Sequence, residues 1–116
     1  MHPNAPEKAD PVNRPVMGGG VTIKTSASQS YAGDCETVAV VEELCRRAGI
    51  ACQRFVNHYS QRGGSTQGSI ASAALPMRTM DVGIAILAMH SARELMGAAD
   101  QLAMEKLVEQ LFSQNI

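Results

Sequence analysis

Three short runs rich in β-branched and apolar residues, each followed by a helical pattern, restrict the folds open to this chain more than any other feature. The first run is Val21-Thr22-Ile23-Lys24-Thr25. Val21 and Ile23 fall on one face and Thr22 and Lys24 on the other, the period-two signature of a strand. Asp34 then offers an N-cap for a helix predicted to run to about Ala48, with Val38, Val41, Leu44, Cys45 and Ala48 as its apolar stripe and Gly49 as its stop. A second strand is expected from Gln53 to Asn57, a short helix from Ser69 to Leu75 halted by Pro76, and a third strand from Met77 to Val82. Ser91-Ala92-Arg93-Glu94 has the form of a capping box, which predicts a helix starting just after His90. The last helix is expected over roughly Asp100 to Ser113, where Met104, Leu107, Val108, Leu111 and Phe112 recur at spacings of three and four. Such an order defines an α/β domain: short, mainly parallel strands covered by helices. Three short strands make a narrow sheet that is hard to stabilise by itself.

At 116 residues the chain is one domain at most, with room for a single modest core. Residues 1–20 read as an irregular lead-in, because Pro3, Pro6, Pro11 and Pro15 prevent a helix and Gly18-Gly19-Gly20 permits a sharp turn. A formal charge of −1 argues against nucleic acid or an anionic membrane as a partner, since both demand a basic surface. The longest apolar run, Ile84 to Met89, falls far short of the ~20 residues needed to span a bilayer. Met1-His2-Pro3-Asn4 has no basic region leading into an apolar stretch, so no signal peptide is expected. Three cysteines make an odd count without CxxC spacing. Cys35 and Cys45 share the first helix ten residues apart, or ~15 Å, beyond the ~7 Å a disulfide tolerates. They read as buried structural thiols in a reducing compartment, which sets the expectation of a cytoplasmic location.

There is no HExxH, no phosphate loop ending in Lys-Ser or Lys-Thr, and no GxSxG elbow. Gly18-Gly19-Gly20 precedes a strand rather than a helix, which does not fit a dinucleotide cradle. His90 stands out because it follows a strand and an apolar run, where ligands gather in open α/β sheets. On spacing alone, one such histidine is more often a hydrogen-bonded core residue than a ligand, and zinc needs three or four donors. Asp81, on the preceding strand, reads equally well as a solvated or capping carboxylate. Lys24 is either a solvated strand lysine or a point charge lining a pocket, where it would favour an acidic side chain. The Gly63 to Gly68 loop is either a tight strand-to-helix turn or an anion cradle.

Longer motifs go further. His2-Pro3-Asn4, Asn13-Arg14-Pro15, Ile23-Lys24, Gln29-Ser30-Tyr31-Ala32, Gly64-Ser65-Thr66-Gln67-Gly68, Arg78-Thr79-Met80-Asp81-Val82-Gly83 and Ala88-Met89-His90-Ser91-Ala92-Arg93-Glu94 follow one another from residue 2 onward. Together they resemble the aspartyl aminopeptidase family of zinc metalloaminopeptidases, which includes vacuolar aminopeptidase I, and the Met-His-Ser-x-Arg-Glu segment is the most specific. The resemblance implies the C-terminal portion of a zinc-peptidase-like α/β/α sandwich, with residues 21–116 as the C-terminal half of the catalytic domain and residues 1–20 as its lead-in. It further implies removal of N-terminal, commonly acidic, residues from peptide substrates, two bridged zinc ions, and homo-oligomers that are often dodecamers. His90 would be a zinc ligand, Lys24 and Tyr31 would face the substrate with Lys24 recognising an acidic side chain, and Gly64 and Ser65 would border the pocket. The family's remaining ligands and its general base would lie upstream of this sequence, so no catalytic residue is expected here and the isolated chain is expected to be inactive. Departures from the family pattern are Ser60 in place of an aspartate, and Gln67 and Ser69 in place of an aliphatic residue and a proline. A non-catalytic interaction or oligomerisation module derived from the same fold is the competing reading.

Overall fold

The computed structural model describes residues 3–114, so His2 of the His-Pro-Asn motif lies outside the described residues. The strand β1 (Val21–Thr25) forms where the alternation predicts it and stands at the centre of a three-stranded sheet. Strand β2 (Cys52–Val56) pairs with it in parallel, with Val21 opposite Cys52 and Lys24 opposite Phe55. Strand β3 (Val82–Ile84) pairs on the other side and runs antiparallel. The sheet is therefore mixed, and its third strand begins where the sequence reading ended it, at Val82. Pairing direction depends on how the intervening chain returns, which local periodicity does not report.

The first helix, α1 (Cys35–Ala48), crosses between the parallel strands as their geometry requires. Its start is locked by a reciprocal cap. The Asp34 carboxylate accepts from the Thr37 backbone N–H at 2.8 Å, and the Thr37 hydroxyl accepts from the Asp34 N–H at 2.9 Å. Those Thr37 hydrogen bonds hold the Asp34 carboxyl below its ordinary pKa. At the other end Gly49 adopts the left-handed conformation, and the Ile50 N–H returns to the Cys45 carbonyl at 3.0 Å. Leu44 and Cys45 pack with Val21 against Ala103 and Leu107 of the last helix, α3 (Ala98–Ser113). Thus α1 and α3 together cover the Val21 face of the sheet.

Helix α2 (Gln67–Ala74) is short and contains no fully buried residue. Between β3 and α3 the predicted helix after His90 is replaced by a hairpin of β4 (Ile86–Leu87) and β5 (Leu95–Met96). The Glu94 carboxylate accepts from the His90 backbone N–H, one residue earlier than the capping box would need. His90 and Ala88 both have positive φ, at 68° and 53°, which closes a tight turn instead of opening a helix. The cysteine reading also needs correcting. Cys45 is buried, but Cys35 and Cys52 are exposed.

The glycine-rich turn of the lead-in is fastened from afar. Asp100, in the first turn of α3, has 0% exposure, and its two carboxylate oxygens accept the N–H groups of Gly18 at 2.7 Å and Gly20 at 2.8 Å. Gly20 sits at φ 82° with its Cα against the Ala51 backbone, and the neighbouring Val21 N–H donates to the Ala51 carbonyl at 3.0 Å.

Candidate active site

The face of β1 opposite Val21 carries Thr22 and Lys24, and there the chain forms a concavity of about 370 Å³. All five residues singled out as site residues line it: Lys24, Tyr31, Gly64, Ser65 and His90. They come from four separate stretches. Lys24 is near the end of β1, Tyr31 is in the loop leading to α1, Gly64 and Ser65 precede α2, and His90 is in the β4–β5 turn. Phe55, the register partner of Lys24 on β2, adds an apolar wall.

The Lys24 ammonium lies 5.6 Å from the centroid of the Tyr31 ring, within cation–π range. The ring leans on Phe55 with centroids 6.2 Å apart, and its hydroxyl accepts from the Asn57 side-chain amide at 3.2 Å. Among the described residues Lys24 forms no salt bridge, unlike Arg46, Arg47, Arg54 and Arg78. A half-buried ammonium with an aromatic face on one side and no carboxylate partner has capacity to bind an anion.

The pocket loops are held by Asp81, whose structural role the sequence left open. Its Oδ2 accepts from the Ala32 N–H and from the Thr66 hydroxyl, both at 2.6 Å. Its backbone carbonyl accepts from the Lys24 N–H at 3.0 Å, and its N–H donates to the Ala32 carbonyl at 3.0 Å. One residue thereby fixes the neighbours of Tyr31 and Ser65 and the backbone of Lys24. Replacing Asp81 with Ala strands two partly buried donors and is expected to cost about 2 kcal/mol in urea denaturation. Asp81→Asn should cost clearly less, because both hydrogen bonds use one oxygen that an amide can supply. Equal losses in the two variants would contradict this account.

Asn57, Thr66 and Met89 are not among the site residues that the sequence singled out, although Thr66 and Met89 stand within its motifs. Thr66 and Asn57 act through long-range hydrogen bonds, which leave no local signal, and Met89 adjoins His90 at the rim.

Among the described residues no group of three or more His, Cys, Asp and Glu side chains gathers as a metal site. His90 is exposed and alone in that respect, so these residues do not by themselves make a zinc centre.

The sheet and its loops thus bring into one pocket a lysine that forms no salt bridge among the described residues, a tyrosine, and a histidine in a turn of positive φ. The family model for aminopeptidase I zinc metalloproteases (M18) matches residues 1–112, and the chain belongs to that peptidase family. A probable M18 family aminopeptidase 2 of Clostridium acetobutylicum is 47% identical over 113 residues, covering 97% of this chain and 26% of the relative. The crystal structure of prApe1 matches with a TM-score of 0.92 at 34% identity, over 98% of this chain and 24% of that one. A dodecamer of mApe1 from the yeast S. cerevisiae matches with a TM-score of 0.74 at 33% identity, over 98% and 24%. The chain therefore spans about a quarter of the length of the curated relatives it matches.

Proposed function

We propose that this chain forms the substrate-facing wall of a two-zinc aminopeptidase site that removes N-terminal, preferentially acidic, residues from peptides. What supports the reading is the convergence of Lys24, Tyr31, Gly64, Ser65 and His90 on one pocket, together with membership of a zinc metalloprotease family. Lys24 pairs with the acidic side chain of the first residue, and Tyr31 packs along its stem. The Gly64–Ser65 loop closes the pocket's edge. His90 contributes one imidazole to a metal centre whose other donors are not among these residues. Residues 21–116 act as part of the catalytic domain, and residues 3–20 brace it through Asp100. The isolated chain has no peptidase activity of its own on this reading. The assembled enzyme is a homo-oligomer, a reading supported by the dodecameric neighbour and by the apolar Leu102, Val108, Leu111 and Phe112 left exposed on α3. No helix among the described residues is long and apolar enough to cross a membrane, and the enzyme is proposed to work in the cytoplasm.

The test is a chimera in which this chain replaces the matched quarter of the Clostridium acetobutylicum relative. We expect zinc-dependent aminopeptidase activity that vanishes in the His90→Ala form, with bound zinc falling from about two ions to about one. A charged hydrogen bond is worth about 1.5–3 kcal/mol. Lys24→Met should therefore lower kcat/KM for N-terminal Glu by about 10- to 100-fold relative to N-terminal Leu. An unchanged Glu-to-Leu ratio would remove Lys24 from substrate recognition. Full zinc content in His90→Ala would remove His90 from the metal.

A further inference from the structure

Cys45, in the last turn of α1, and Cys52, at the start of β2, stand on either side of one tight turn. Cys45 is 1% exposed and belongs to the cluster around Val21. Cys52 is the first residue of β2 and the register partner of Val21. Partners on neighbouring strands project from the same face of a sheet, so the Cys52 thiol projects to the side on which Cys45 packs. The connection between them is short and folded back on itself. Gly49 turns left-handed, the Ile50 N–H returns to the Cys45 carbonyl at 3.0 Å, and the Ala51 carbonyl is held by the Val21 N–H at 3.0 Å. Cys35, at the far end of α1, is excluded by the length of the helix.

We propose that Cys45 and Cys52 constitute a dithiol modification site, which closes to an intramolecular disulfide when the chain meets a small disulfide oxidant such as glutathione disulfide. The exposure of Cys52 makes it the entry point. Burial, with the Cys52 thiol beside it, pushes the Cys45 thiol up to about 11, so Cys45 does not initiate the exchange. The Cys52 thiolate attacks one sulfur of the oxidant and releases one glutathione thiolate. Cys45 then gives up its proton, attacks the Cys52 sulfur of the mixed disulfide and expels the second glutathione. Two protein thiols are oxidised, and one glutathione disulfide is reduced to two glutathione thiols. The product staples the C-terminus of α1 to the start of β2, next to the buried Val21. This site is independent of the peptidase reading.

The test uses the full chain carrying Cys35→Ser, which leaves only the two thiols in question. After treatment with glutathione disulfide and alkylation by iodoacetamide, we expect one main species about 2 Da lighter than the dithiol form and unalkylated. Trypsin cuts after Arg46 and Arg47, so the disulfide should appear as the Thr25 to Arg46 peptide joined to the Ala48 to Arg54 peptide, separable by reduction. A stable glutathione adduct on Cys52 with Cys45 still alkylatable would overturn the proposal. So would disulfide-linked pairs of chains, or an equal rate of closure in concentrated urea, where the fold no longer brings the thiols together.

Discussion

Replacing Asp100 with Ala is expected to destabilise the chain by about 4 kcal/mol, enough to leave much of it unfolded, because small domains hold only about 5–15 kcal/mol in total. Its carboxylate is fully buried and accepts the N–H groups of Gly18 and Gly20. Removing it strands two buried donors, each costing about 1–3 kcal/mol. It also takes a negative charge from the first turn of α3, where the helix dipole favours one, for about 0.3–1 kcal/mol more. Asp100→Asn keeps one acceptor but turns an amide donor towards the other N–H, so it should fall between wild type and Ala. Urea titration followed by far-UV circular dichroism would order the three proteins. A loss under about 1 kcal/mol for Ala would mean that water replaces the carboxylate and that the turn is not sealed.

Gly20→Ala attacks the same junction by a different route, and a loss of about 4 kcal/mol or failure to fold is expected. At φ 82° a side chain is strained whatever the space around it. Here space is lacking as well, since the added Cβ would collide with the Ala51 carbonyl carbon and oxygen. That carbonyl accepts the Val21 N–H, so it cannot retreat without loosening the start of β1 against β2. Gly18→Ala is the matched control: it has a similar φ of 85° but nothing within 4 Å of the added carbon. The difference between the two variants isolates the collision from the backbone strain. If Gly18→Ala proved as damaging as Gly20→Ala, the collision would contribute nothing.

What the sequence reveals and what it hides divide along the range of the interactions. The bounds of β1, the Asp34 cap and the Gly49 stop of α1 are legible because each is set by residues a few positions apart. The segment after His90 misleads for an instructive reason. Ser91-Ala92-Arg93-Glu94 has the composition of a capping box, but the glutamate reaches the His90 N–H and the chain turns into a hairpin. Composition fixes which groups can bond, while the pairing of β4 with β5 decides which of them do. The antiparallel direction of β3 and the burial of Asp100 are likewise set by partners some 60 and 80 residues away. In the pocket, periodicity could place Lys24 on the face opposite Val21 and no more. Its association with Tyr31, Gly64, Ser65 and His90 came from the family resemblance, and the fold brings those five residues to one cavity. Asp81, which ties the loops around them, carries no pattern by which it could have been chosen over any other strand carboxylate.

The seating of α3 on α1 and β1 has a consequence for the order in which the chain is made. Synthesis runs from the N-terminus, so β1, α1 and β2 are complete by Val56, whereas α3 begins only at Ala98. At about 5–20 residues per second, that interval lasts a few seconds. Throughout it, Val21, Leu44 and Cys45 have no Ala103 or Leu107 to pack against. The surface most open to premature association on the ribosome is thus the one most thoroughly enclosed in the finished domain.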